Sequence, residues 1–286
     1  MADDTNGTKP ALVPEQEQLI RNEWIRILNE CADLDSSTVQ VFGFQNGNLV
    51  ADRTGVLFRV GESHFLITAA HKLVDIHGLN IPLFLPPSQQ DASPISLSGR
   101  MLYTKDRRVD IAVWELPQSI VEQLLPTRTF LGMMDVDLQS HSPKELYLIL
   151  GYPSSCTEIT AEAVRPTVLK YVAYIYSGDT DGLENFDPSL HILLQHDRDG
   201  RDATGQPLLS PTIQGMSGCG IWRLLELKPA WNQTWKRSDA KLVAIQNRYI
   251  HDQYCKGTWV KYAIRLIGDN FPQLRPALQL RFNGIL

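Results

Sequence analysis

The sequence predicts an all-β fold preceded by one amphipathic helix, and three observations carry that prediction. From residue 38 onward the apolar residues fall in short runs separated by Gly, Pro, Asn and Asp, the pattern of a sandwich or barrel. Only the stretch before residue 38 carries a long apolar stripe at helical spacing. The balance of 43% hydrophobic to 21% charged residues over 286 positions is that of a folded globular chain, long enough for one large β domain or two small ones.

In chain order, residues 1–13 are polar and rich in turn formers and read as a mobile tail. Residues 14–37 read as a helix and linker. Pro14 suits the first turn, Glu15 and Glu17 favour its N-terminal end, and Ile20, Trp24, Ile27, Leu28 and Cys31 form one apolar face. That face is expected to pack against its own domain; docking onto a regulatory protein partner is the alternative. Strands are expected over 38–44, 56–60, 65–68, 95–103 and 111–116, with a short surface helix over 117–125. Further strands are expected over 145–150, 167–176, 191–196, 221–224 and 241–248.

Charge and cysteine usage narrow the class. A formal net charge of -5 gives no reason to expect nucleic acid as a partner. No apolar run reaches the length of a membrane span, and the first residues lack a basic region followed by an apolar one. Cys31, Cys156, Cys219 and Cys255 are scattered without CxxC spacing, so neither a metal site nor a disulfide framework is expected, and the cytoplasm is the expected compartment. Residues 197–202 carry three aspartates around a glycine but lack the closing glutamate of a calcium loop, and turn chemistry explains them. No cofactor is implied.

Three stretches carry chemistry. Gly215-Met216-Ser217-Gly218-Cys219-Gly220 frames one serine with small residues, letting the backbone turn sharply and bring N–H groups near a reacting atom. Thr68-Ala69-Ala70-His71 ends a hairpin pattern, and Arg107-Arg108-Val109-Asp110 opens an apolar strand. A hydroxyl nucleophile needs a base, and the base needs an orienting acid. Their order along the chain is His, Asp, Ser. His64, His77, His141, His191, His196 and His251 lack comparable settings and read as structural.

With these motifs the chain resembles the trypsin-like serine peptidases, and within them the HtrA-like branch, whose Gly-Tyr-Pro turn resembles Gly151-Tyr152-Pro153. The resemblance implies a chymotrypsin-like double β-barrel over 38–270, with residues 257–264 as its closing strand and 271–286 as a short C-terminal cap. It implies a His71-Asp110-Ser217 triad, an oxyanion hole from the N–H groups of Gly215 and Ser217, and a protein or peptide substrate. The strand over 242–247 is the one along which a peptide pairs in that family. Three departures stand out. Met216 replaces the aspartate that pairs with a newly cut N-terminus in digestive relatives, Cys219 replaces a glycine, and the loops between Tyr152 and Ser210 are long. Ser210 or Pro211 falls at the base of the primary pocket, neither charged, which favours a small or apolar cleavage-site side chain, with Asp252 as another source of charge. No PDZ domain follows the barrel, so a dedicated target is expected rather than general quality control; a bacterial stress, toxin or immunity effector fits. A catalytically silent binding module and an esterase with the same triad are the competing readings.

Overall fold

The computed structural model describes residues 22, 25–45, 47–73, 82–86, 94–138, 145–160, 164–197, 199–202, 206–210, 212–226 and 235–282. The tail, Pro14, Ile20, Trp24, His77, His141 and Pro211 therefore lie outside the described residues.

Two antiparallel sheets build the molecule. The first contains β1 (Thr38–Gln45), β2 (Asn48–Val60), β3 (Ser63–Thr68), β4 (Leu83–Leu85), β5 (Ile95–Ser96), β6 (Met101–Tyr103) and β7 (Ala112–Glu115), in the order β5-β4-β1-β2-β3-β7-β6. The second begins with β8 (Glu145–Gly151), after which β9 (Thr157–Ile159) and β10 (Val164–Pro166) form a separate hairpin. β11 (Leu169–Tyr174) and β12 (His191–Gln195) follow, then a second hairpin of β13 (Asp199–Arg201) and β14 (Pro207–Leu209). With β15 (Gly220–Glu226), β16 (Lys241–Ile250) and β17 (Tyr254–Trp259), the sheet runs β11-β8-β15-β16-β17-β12. A bridge between Ile175 and Leu194 joins its two ends, removing the exposed edges an open sheet would keep. The fold is the chymotrypsin-like double β-barrel.

Period-two alternation explains how three cores arise from these strands. On β2, Leu57 points into the first barrel with Val39, Val41, Leu66 and Trp114. Its neighbours Val56, Phe58 and Val60 point the other way, into a layer shared with Leu148, Leu150, Trp222 and Ile245 of the second sheet. Tyr147, Ile149, Ile221 and Val243 fill the second barrel. The shared layer also receives Ile27 and Cys31 from the N-terminal helix α1, described over 25–30, so the described part of that apolar face is covered by its own chain. A short helix α2 (Gln118–Leu124) buries Ile120, Val121 and Leu124 against the first barrel.

Two expectations need correcting. The strand expected over 95–103 is two strands, because Gly99 (φ +112) turns the chain from pairing beside β4 to pairing with β7. A Cβ at that position would sit 2.1 Å from the Glu115 carbonyl oxygen, so only glycine makes the crossing. The closing strand expected over 257–264 stops at Trp259, and helix α3 (Lys261–Asn270) begins there. Ala263, Ile264 and Ile267 share one helical face, which is buried in the layer between the barrels. Helix α4 (Arg275–Arg281) then adds Leu278 to the same layer. No helix among the described residues is long and apolar enough to cross a membrane.

Candidate active site

His71, Asp110 and Ser217 each sit where a strand begins or ends facing the other barrel. His71 follows β3, Asp110 precedes β7, and Ser217 precedes β15. Pairing of β3 with β7 (Thr68 opposite Ala112) brings the first two together across 39 residues of chain. Asp110 Oδ2 lies 2.6 Å from His71 Nδ1. Its other oxygen, Oδ1, accepts the backbone N–H groups of Ala70 and His71, each at 2.7 Å. A carboxylate can only accept, so Nδ1–H donates to Asp110 and Nε2 faces away from it. The ring is half-buried, with 35% of its side-chain surface exposed against 18% for Asp110.

The Ser217 loop comes from the second barrel and is tied to the first by one residue. Thr54, on β2, donates its N–H to the Ser217 carbonyl at 2.9 Å and its hydroxyl to the Gly215 carbonyl at 3.2 Å, while accepting the Tyr152 N–H at 3.0 Å. On the far side, the Gly218 N–H donates to the Gln246 carbonyl at 2.7 Å and the Gln246 N–H to the Cys219 carbonyl at 2.9 Å. Gly218 is pressed so closely on the end of β3 that a Cβ there would lie 2.0 Å from Thr68 Oγ1 and 2.9 Å from the Ala69 nitrogen. Gly218, the residue after Ser217, is thus docked on Thr68 and Ala69, two to three residues before His71, and Ser217 is half-buried on a loop whose Gly215 and Gly218 take φ of +90 and +94. Among the described residues, Ser217 Oγ makes no hydrogen bond to His71, and the N–H groups of Gly215 and Ser217 find no protein acceptor. Such contacts commonly tighten only when substrate binds.

Met216 and Cys219 point into the second barrel core. Full burial raises the Cys219 thiol well above its ordinary pKa, so it stays protonated and fills space. Gly151 makes room for it, since a Cβ at Gly151 would lie 2.6 Å from Cys219 Cβ. Of the specificity positions, Ser210 is half-buried and Asp252 occupies an exposed turn with φ +59. The remaining described histidines are placed by packing. His191 is buried, with Nδ1 accepting the Asp187 N–H at 3.1 Å and Nε2 donating to the Arg108 carbonyl at 2.8 Å. His196 is buried beside Tyr171, Tyr249 and His251.

Sequence reasoning missed Thr54 and its neighbour Arg53. The signal available was Asp52-Arg53-Thr54, three polar residues interrupting an otherwise apolar strand just before Gly55.

No protein family matched the sequence, and no curated protein matched it as a relative. Solved structures do resemble it. A scabies mite inactivated protease paralogue, S-I1, superposes with a TM-score of 0.50 at 14% identity, covering 84% of this chain and 96% of its own. GrC superposes with a TM-score of 0.51 at 12% identity, again covering 84% of this chain and 96% of its own. At that identity the likeness is one of fold, and the fold is the chymotrypsin-like double β-barrel of the serine proteases.

Proposed function

We propose that this chain is a serine endopeptidase acting through His71, Asp110 and Ser217. The observation that carries the reading is the grip of Asp110 on His71, by the ring Nδ1 and by the turn's own N–H groups, opposite a serine loop docked on the same strand end. Asp110 holds the imidazole with Nε2 facing away from it, so that nitrogen is the base. Ser217 attacks the scissile carbonyl as its proton passes to Nε2; the same proton then goes to the leaving amine, and water repeats the sequence on the acyl-enzyme. The N–H groups of Gly215 and Ser217, which find no acceptor among the described residues, are the donors for the oxyanion, each worth about 2.7–4 kcal/mol in the barrier. The substrate is a protein or peptide, paired along β16, with a small or apolar side chain at the cleavage site because Ser210 is uncharged. The resemblance of the Gly151-Tyr152-Pro153 turn supports a reading nearest the HtrA-like branch, and four free thiols favour a reducing compartment.

A fluorophosphonate probe tests the reading. Labelling of the wild type that is abolished by Ser217→Ala supports a nucleophilic serine, and cleavage of a peptide library separates a peptidase from an esterase. The second reading is a silent binding module of the same fold, favoured by the missing hydrogen bond between Ser217 and His71. It predicts no labelling with any peptide ligand present.

A further inference from the structure

We propose that Arg53 is the positioning residue of the His71 turn, holding the carbonyl side of that turn as Asp110 holds its N–H side. Arg53 lies on β2 with 2% of its side chain exposed, a costly place for a cation unless its donors are met. They are met by the turn. Nη1 donates to the carbonyls of Ala69 and His71, both at 3.0 Å, and Nη2 to that of Lys72 at 3.3 Å. Nε is paired with Asp52, which balances the charge. Four of the five guanidinium N–H bonds are thereby committed, three of them to carbonyls of the turn between Ala69 and Lys72.

The need for such a grip is visible in the turn itself. Lys72 takes φ +60, a left-handed conformation that a residue with a side chain holds only when its surroundings impose it. No cross-link secures the turn, because all four cysteines are free. The two anchors are complementary: Asp110 accepts from the N–H groups of Ala70 and His71, while Arg53 donates to the carbonyls of Ala69, His71 and Lys72. The peptide dipoles on both sides of the His71 Cα are therefore occupied, which fixes the backbone from which the ring reaches Asp110. Lysine replaces this arrangement only in part, since an ammonium keeps the charge but lacks the planar fork that spans several carbonyls at once.

Positioning for catalysis rests on the peptidase reading, but the hold on the turn is measurable without activity. The experiment compares wild type, Arg53→Met, Arg53→Lys and Ser217→Ala. One readout is the low-field proton signal of His71 Nδ1–H, assigned by its loss in Asp110→Asn; the other is the pH profile of fluorophosphonate labelling. Arg53→Met is expected to fold by circular dichroism, to lose the low-field signal, to label about ten- to a hundredfold more slowly, and to shift the profile's midpoint. Arg53→Lys should restore part of each. A folded Arg53→Met with wild-type signal and profile would overturn the proposal; if it does not fold, an unchanged Arg53→Lys does so instead. Should the wild type fail to label while Arg53→Met still loses the low-field signal, the peptidase reading falls and the positioning role stands.

Discussion

Replacing Gly218 by alanine tests whether the docking of the serine loop is as tight as its geometry implies. The new Cβ would meet Thr68 Oγ1 at 2.0 Å, the Thr54 carbonyl oxygen at 2.2 Å and the Ala69 nitrogen at 2.9 Å. Two of these are backbone atoms, one within β2 and one just past the end of β3, and cannot swing aside as a side chain can. Nor can the loop retreat, because Thr54 holds the Ser217 carbonyl and Gln246 holds the Gly218 N–H. The cost is a backbone term of about 1–2 kcal/mol for a side chain at φ +94 plus about 1–3 kcal/mol of overpacking, together about 2–5 kcal/mol. Gly182 supplies the control, having φ +79 but nothing within 4 Å of its Cβ position. Alanine there costs only the backbone term. Thermal unfolding should fall by about 6 °C for Gly218→Ala and about 2–3 °C for Gly182→Ala, and only the first should slow fluorophosphonate labelling, by about a hundredfold. Equal effects from the two glycines would refute the argument, since they would show that the close approach to β3 contributes nothing.

Three further outcomes follow from the same structure. Asp110→Asn should lower labelling by about three to four orders of magnitude, because an amide cannot accept from both the turn and the imidazole; a rate within tenfold of wild type would contradict the site. Burial lowers the pKa of His191 from 6.5, opposed by its hydrogen bond to the Arg108 carbonyl and by Asp187 and aided by the nearby Lys256 and Arg108 charges, and burial lowers that of His196 beside His251. The unfolded chain therefore takes up these protons first: stability is intact above about pH 6.5 and is lost as pH falls below it, so urea unfolding at about pH 5.5 should need less denaturant than at about pH 7.5, with a smaller difference in His191→Gln. Iodoacetamide should modify the partly exposed Cys156 quickly and spare the others, because burial raises Cys31 and Cys255 to about 12 and lifts Cys219 well above its ordinary value; rapid modification of a second thiol in the native protein, read by mass spectrometry, would count against the packing described.

The barrels were legible wherever one side of a strand is buried and the period of two is clean, as along Val56–Val60 and Phe65–Thr68. They were hidden where length or periodicity misled. β4 has three residues between stretches outside the described ones, too short to register as a run. At the start of α3, Val260, Tyr262 and Ile264 put β-branched and aromatic residues at every second position, which reads as strand until Ile267 reveals the helical spacing. Ile95–Tyr103 looked continuous because a glycine within apolar sequence carries no mark of which neighbour the chain pairs with on either side.

The candidate site divides along a physical line. His71, Asp110 and Ser217 were readable because their chemistry depends on side chains with few substitutes, set in short local motifs. Thr54 and Arg53 act instead on backbone atoms far along the chain, across 16 to 19 residues for Arg53 and 161 for the Thr54–Gly215 contact. A backbone carbonyl is the same in every residue, so its partner leaves no complementary letter in the sequence. What the sequence does retain is the cost: a buried arginine and a buried threonine in the middle of an apolar strand are unfavourable unless a fixed set of acceptors awaits them. Polar interruptions of core strands next to a candidate site are therefore the places to look for residues that hold a catalytic turn, and Asp52-Arg53-Thr54 is such a place.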